Sequence, residues 1–295
     1  MITLLTVLVA FGLAACGGGG GDDRATTDVD TPGSTAATAP PATGATTTPV
    51  PATLAPDADG VTLNTYFLRN DKVGLGHRRI ARTPSVARAA TELLLGGPTN
   101  DERSAGLSTA IPTDTRLRSI NLSDGVLTVD LSKEFVANAD GPTMRRRLAQ
   151  LVFTLTQFEN VVSVRVRIDG QPTATFGTSG VTLDVPLDRN DFTAETPLIL
   201  VETVAPGDVV PTAARIAGMN NTFENNVRIR IVGADGRTLA DTFTTGHGPM
   251  GQWGRFDTIV PIARGSNPGG KVVVFESSAK DGSEINVVEI PVRFA

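Results

Sequence analysis

Cysteine is almost missing from this chain. Its 295 residues contain one, Cys16, so no intrachain disulfide can form and burial with hydrogen bonding must hold every folded part. Histidine is nearly as scarce. His77 and His247 are the only two, they lie in different regions, and no second thiol is present to complete a zinc ligand set. A Ser-His-Asp triad would need one of them, and no G-x-S-x-G occurs. Aromatics are only 5%, with one Trp and one Tyr, so Val, Leu, Ile and Ala must fill the cores. Cationic excess is lacking too: 26 Lys+Arg against 31 Asp+Glu give a net charge of −5, which argues against a nucleic-acid partner. No apolar run reaches the about 20 residues that a membrane-crossing helix needs. No catalytic, cofactor-binding or metal-ligating residue is assigned from the sequence.

What is present begins with "MITLLTVLVAFGLAACGGGGGDD". The uncharged apolar stretch from Ile2 to Ala15 spans roughly 21 Å as a helix at 1.5 Å per residue, short of the roughly 30 Å hydrocarbon core. It has instead the length of a signal-peptide h-region. It departs from the usual signal in having no Lys or Arg before the run, and the alternative reading is an uncleaved short anchor with an incidental cysteine. The residues "LAAC" resemble the lipobox of bacterial lipoproteins. That resemblance implies a signal peptide at 1–15, cleavage between Ala15 and Cys16, and acylation of the Cys16 thiol. Two or three acyl chains, at about 0.8 kcal/mol per buried CH₂, would hold the protein in the bilayer. The expected location is the extracytoplasmic face of the cell membrane.

Residues 16–60 are dominated by Thr, Pro, Ala and Gly and have no apolar period with which to build a core, so they read as a disordered linker. A flexible chain of this length has an average reach of roughly 35 Å, and a polyproline-like one approaches roughly 130 Å. "DVDTPG" and "DADG" lack the alternating ligands and terminal Glu of a calcium loop.

Periodic patterns start at Val61. "VTLNTYFL" alternates as a half-buried strand. Thr83-Pro84 then predicts a helix start, with a stripe of Val86, Ala89, Ala90, Leu93 and Leu94 stopped by Gly96-Gly97-Pro98. "LRSINLSDGVLTVDLS" reads as two strands joined at Asp124-Gly125. A second helix is expected from about Pro142, with Met144, Leu148, Leu151, Val152, Leu155 and Phe158 on one face. "VVSVRVRIDG" alternates as a final strand. The order β-α-β-β-α-β predicts an α+β sheet domain over 61–192, with two helices on one face. Beyond it, helical periodicity disappears. Seven short runs, at 198–204, 213–218, 227–232, 238–244, 255–262, 271–276 and 285–294, with turns at Asp235-Gly236 and Asp281-Gly282, predict a separate all-β sandwich over 196–295. Each pattern is expected to close its own core.

The blocks "ATELLLGGPTNDE", "AIPTDTRLRSINLSDGVLTVDLSKEF", "LAQLVFTLTQFENVVSVRVRIDGQP" and "PLDRNDF" together resemble a GerMN domain, a family named for sporulation and spore germination. Residues 198–295, with "FENNVRIRIVGADGRTLAD", "FESSAKDGS" and "IPVRF", resemble the immunoglobulin-like domain of bacterial spore-germination proteins. The resemblance implies no catalytic residues to carry over. It implies a non-enzymatic binding or scaffold protein of the cell envelope, anchored through Cys16 and contacting an envelope protein or wall polymer. The alternatives are an accessory lipoprotein of a wall-active enzyme or of a sensor kinase.

The remaining motifs are weak. "SSAK" at 277–280 matches Ser-x-x-Lys, but it lies between two strands and lacks the partner motifs of penicillin-binding proteins. "GLGHRR" lacks the third glycine of a dinucleotide fingerprint. "TGHGPMGQWGRF" could present Trp253 as an aromatic platform, or Trp253 could pack on the sandwich core. Between Val61 and Gly170 there are 15 Lys+Arg against 11 Asp+Glu, while from Glu195 onward the balance is 9 against 11. The basic excess makes Arg146, with Arg165 and Arg167 on the uncovered sheet face, the candidate partner-binding residues; a solvated polar face is the alternative.

Overall fold

The computed structural model describes residues 60–172, 175–176, 181–182, 185–249 and 251–295. The leader and linker therefore lie outside the described residues, Ala15 and Cys16 included.

The described residues begin with a hairpin of β1 (Val61–Arg69) and β2 (Lys72–Ile80). Its turn residues Asn70 and Asp71 both take positive φ, 50° and 63°, the conformation of a type I′ turn, which suits the twist of the strands. The strand β2 carries little strand signal because two glycines interrupt "KVGLGHRRI". One has a packing reason: a Cβ at Gly76 would collide with the Glu102 carboxylate. Glu102 lies on α2 (Asn100–Ser104), whose preceding α1 covers Val86–Leu95. The first helix starts later than Thr83-Pro84 suggests. Thr83 Oγ1 accepts from Ser85 N at 3.2 Å, so this pair forms a turn, and the first helical bond runs from Ala89 N to Ser85 O.

Next come β3 (Leu117–Ser123), β4 (Val126–Leu131), α3 (Gly141–Leu155) and β5 (Ser163–Ile168). The Asp124-Gly125 turn joins β3 and β4 as expected, with both residues at positive φ. Asp140 caps α3 by accepting from Thr143 N at 2.8 Å, and Pro142 fits the first turn because no intrahelical partner is required there. The strand β5 pairs in parallel with β4, and β6 (Gln171–Pro172) completes a sheet in the order β3-β4-β5-β6. Short β7 (Thr175–Phe176) and β8 (Val181–Thr182) pair with each other.

The α+β class is as read, but the first strand does not join this sheet; it forms a two-stranded sheet with β2. The reason is α3. Its apolar side packs on Leu127, Val129, Val164 and Val166, and its other side meets Tyr66 and Phe67 of β1 in the same core. Gln150, Thr154 and Gln157 lie at i, i+4 and i+7 and bond the backbone edge of β1. Gln150 Nε2 donates to Tyr66 O at 3.3 Å, Tyr66 N donates to Thr154 Oγ1 at 3.0 Å, and Gln157 pairs with both Asn64 N and Asn64 O at 2.9 and 2.8 Å. Polar side chains of the helix and of the turn after it thus take the place of a neighbouring strand and satisfy an edge that would otherwise be unpaired.

The remaining strands are β9 (Ile199–Val201), β10 (Val209–Val210), β11 (Ala213–Asn220), β12 (Asn226–Gly233), β13 (Thr238–Thr245), β14 (Gly254–Pro261), β15 (Gly269–Ser277) and β16 (Glu284–Phe294). Each of the seven expected runs holds a strand, and β10 is additional. Two sheets, β10-β16-β15-β12-β13 and β14-β11-β9, enclose a core made mostly of Val and Ile, with Phe256 and Phe294. The alternation in β12 is clean: Val227, Ile229 and Ile231 are fully buried, while Arg228 and Arg230 face outward and pair with Asp241 at 2.7 and 3.1 Å.

The helix-for-strand substitution is testable. Gln150 is completely buried and also accepts from Ala110 N at 2.9 Å. Gln150→Leu should leave Tyr66 O and Ala110 N without partners and cost about 2–4 kcal/mol. The shift would appear in the denaturant midpoint at unchanged slope. Thr128→Val, on the outer face of the β4–β5 pair, should stay within about 0.5 kcal/mol.

Candidate functional site at the seam between the two domains

The three consecutive arginines of α3 point to three different structural partners. Arg145 donates to both oxygens of Glu195, at 2.8 and 2.9 Å, and to Asp191 O at 2.6 Å. Arg146 reaches Asp71 in the hairpin turn at 3.4 Å. Arg147 is buried and donates to the carbonyls of Ala110, Phe135 and Ala137 at 2.6–2.9 Å; burial holds its pKa below the ordinary guanidinium value, with nearby Asp140 opposing. Arg165 and Arg167 lie on the outer face of β5, in register with Thr128 and Asp130 of β4. Arg118 stands nearby, 3.7 Å from Asp130 and 3.1 Å from Asp169, so this face is of mixed charge. Arg146 sits on the helix that covers the opposite face of the sheet, so it does not share a surface with Arg165 and Arg167.

Trp253 is half-buried and stands outside the sandwich core cluster. Its loop is closed by His247 and Arg255, which exchange backbone bonds at 2.8 and 3.2 Å. The glycines there serve close backbone approach: a Cβ at Gly248 would lie 2.7 Å from Gly254 Cα. At "SSAK" the chain turns between β15 and β16, with Gly282 N bonded to Ser278 O at 2.8 Å.

A buried set of charged side chains at the seam was not legible from any motif. Tyr66, the only tyrosine, is fully buried on β1, its ring tilted against Phe153 of α3 at 5.4 Å. Its hydroxyl donates to Glu202 Oε1 at 2.6 Å. Glu202 directly follows β9 and belongs to the sandwich half of the chain. The same oxygen accepts from Arg189 Nη1 at 2.7 Å. Arg189 in turn donates to Thr156 Oγ1 at 2.9 Å and Phe153 O at 3.2 Å, with its guanidinium over the Tyr66 and Phe153 rings at 5.3 and 4.7 Å. Glu202 Oε2 lies 3.4 Å from Arg255 of β14. Burial, then the neighbouring Glu202 charge, pushes the Tyr66 phenol far above its ordinary pKa. Burial works against the Arg189 charge, but Tyr66 and Glu202 more than offset it and hold the pKa above the usual guanidinium value.

Other contacts cross the same seam. His77 Nδ1 lies 2.7 Å from Asp208 Oδ2, Val73 N donates to Glu195 O at 2.8 Å, and Leu200 and Ala205 belong to the core of the first domain. The described residues accordingly form one compact unit. A cleft of about 720 Å³ opens beside Glu202, lined also by Arg215 and Asp257, which pair with each other at 2.6 Å. Each of these carboxylates is engaged by an arginine. Among the described residues there is no group of three or more His, Cys, Asp or Glu that could hold a metal ion.

The fold and this seam define the class: an α+β domain joined through a buried tyrosine–carboxylate–arginine cluster to an immunoglobulin-like sandwich. Residues 64–174 match the sporulation and spore germination family, and residues 198–283 match the immunoglobulin-like domain of bacterial spore germination. The chain carries a GerMN domain followed by that immunoglobulin-like domain. The "Spore germination protein GerM" of Bacillus subtilis (strain 168) is 28% identical over 134 residues, which cover 45% of this chain and 35% of that protein; the chain thus spans about a third of that relative's length. Among solved structures, the first GerMN domain of the B. subtilis sporulation protein GerM is 25% identical, covering 44% of this chain and 99% of that one with a TM-score of 0.39. The tandem GerMN domains of the same protein are 15% identical, covering 68% and 61%, also with a TM-score of 0.39.

If Glu202 couples the domains, its loss should be felt in both. Glu202→Ala leaves the mostly buried Arg189 without its carboxylate and should cost about 3–5 kcal/mol. Tyr66→Phe removes a single bond to the same group and should cost about 1.5 kcal/mol. Trp253 fluorescence reports on the sandwich and far-ultraviolet dichroism on the helices of the first domain. Both signals should shift together in denaturant; movement of one alone would show that the seam does not couple them.

Proposed function

We propose that this protein is a lipid-anchored envelope lipoprotein that works by binding, presenting its two domains as one rigid head on a flexible tether in a role related to sporulation or germination. The carrying observation is the Glu202 cluster, in which the charged groups of the seam serve to lock a GerMN domain to an immunoglobulin-like one. The matched families support the germination-related part. Neither is described as a family of enzymes, which favours a scaffold over a wall-active enzyme. The "LAAC" sequence supports acylation at Cys16, and the linker composition supports a head held away from the bilayer. The partner class is an envelope protein or wall polymer.

Anchoring is tested by labelling with a radioactive fatty acid. Cys16→Ala should abolish the label and leave a larger, unprocessed precursor; maturation of the mutant to the wild-type mass would sink the lipobox reading. The tether is tested by crosslinking in native membranes at equal protein abundance. Replacing residues 20–55 with a Gly/Ser chain of equal length should keep partner crosslinks, because both chains have comparable reach. Deleting them leaves only about 10 Å of average span, and a partner in the wall should be lost. Retention in the deletion would favour a membrane partner such as a sensor kinase.

A further inference from the structure

A second cleft, of about 470 Å³, opens on the other side of β9, between the β1–β2 hairpin and β16. Its floor includes Val73, Leu75, Ile199 and Val201, all buried, and at its mouth Leu198 and Val287 are 42% and 45% exposed. An aliphatic groove by itself does not name its occupant. Backbone polarity and charge together do.

In an antiparallel ladder, pairs that bond across alternate with pairs whose N–H and C=O point away from each other. Tyr66 directs both backbone groups to α3, so Leu75, its register partner, directs its own N–H and C=O to the outer edge of β2. Val73 obeys the same alternation and its N–H finds Glu195 O. On β9, Glu202 N donates to Ala217 O and Leu198 O accepts from Asn221 N, both at 2.8–2.9 Å. Ile199 and Val201, between them, therefore face away from β11. Neither edge has a further ladder partner, since β2 pairs only with β1 and β9 is the end strand of β14-β11-β9, although Leu75, Ile199 and Val201 are only 5%, 1% and 3% exposed. Buried backbone groups are paired in more than about 90% of cases, and here two edge strands without a further ladder partner line one cleft.

The rim is cationic. Arg69 donates only to carbonyls, of Glu289 at 3.0 Å and Ala105 at 3.3 Å, and its Nε is buried with no partner. Lys72 Nζ donates to Ala194 O. Neither cation has a carboxylate within ion-pair distance among the described residues, whereas Glu289 is taken by Lys271 and Asp71 by Arg146. Burial pulls the Arg69 pKa down, the sign of a charge lacking compensation.

We propose that this cleft binds an extended acidic and aliphatic segment of a partner protein by strand addition. The segment's backbone pairs with the open strand edges, alternate aliphatic side chains fill the floor, and a carboxylate meets Arg69 and Lys72. An acyl chain would fill the floor equally well but has nothing to offer Leu75, Ile199 and Val201. The proposal rests on the binding role above and gives it a partner chemistry.

The test is a selection of random decapeptides displayed on phage, against the full chain purified in detergent, with the Leu198→Arg variant as the counter-target. Leu198 stands at the mouth, so its replacement blocks entry, and an unchanged denaturation midpoint shows that the variant folds; Lys72→Glu, at an exposed position, is the second variant. Enriched peptides should alternate aliphatic residues and carry Asp or Glu near one end. A synthetic copy should bind at least ten-fold more weakly to either variant, and at least ten-fold more weakly to wild type when alternate peptide nitrogens are methylated. Absence of enrichment over Leu198→Arg would overturn the site. Undiminished binding of the N-methylated copy, or displacement by sodium laurate in the absence of peptide enrichment, would overturn strand addition in favour of a lipid amphiphile. Because the readout uses purified protein, its failure leaves Cys16 labelling unaffected, and the two proposals fail separately.

Discussion

The structure depends on one buried carboxylate. Glu202 enters from the sandwich and is met by the Tyr66 hydroxyl and the Arg189 guanidinium, 2.6 and 2.7 Å away. A carboxylate at 11% side-chain exposure is costly to desolvate unless its oxygens are bonded. These partners are available only when the hairpin, α3, the segment carrying Arg189 and the sandwich are all in place. The cluster thereby draws its members from both domains. It also explains why the first core takes in Leu200 and Ala205 from beyond its own sheet.

The cluster rests on a second constraint. Tyr66 can project into the seam only because β1 is held by a helix instead of by the larger sheet. Gln150, Thr154 and Gln157 supply the donors and acceptors that a neighbouring strand would supply, and the hairpin is thereby turned so that β2 faces β9. The same arrangement leaves the outer edge of β2 open beside the apolar cleft. Seam and cleft are thus two results of one packing choice.

Much of the architecture was legible because its signals are local. The Asp124-Gly125 turn, the Asp140 cap with Pro142, and the strict alternation of Val227, Ile229 and Ile231 each follow from short-range stereochemistry and burial. The strand β2 was not legible, because Gly74 and Gly76 depress its strand signal, and the reason for Gly76 is Glu102, a residue 26 positions later that must come close. The position of the first helix start was displaced for a similar cause: Thr83 caps a turn at Ser85, a competition among local bonds that residue types alone do not decide.

The arginines show where sequence reasoning stops. Three in a row on α3 bind Glu195, Asp71 and a set of carbonyls, in three separate parts of the fold. At about 100° per residue they had to diverge, and only the tertiary fold determined what each would meet. Helical periodicity likewise identified the apolar face of α3 but could not reveal that Gln150 and Thr154 opposite it are buried. By itself the sequence determined the two-domain order, the strands of the sandwich and the expectation of an acylated Cys16, since these rest on composition, period and adjacent residues. The tertiary structure alone decided the Tyr66–Glu202–Arg189 seam and the open edges of β2 and β9. These join residues up to 136 positions apart, and no local pattern encodes a partner at that distance.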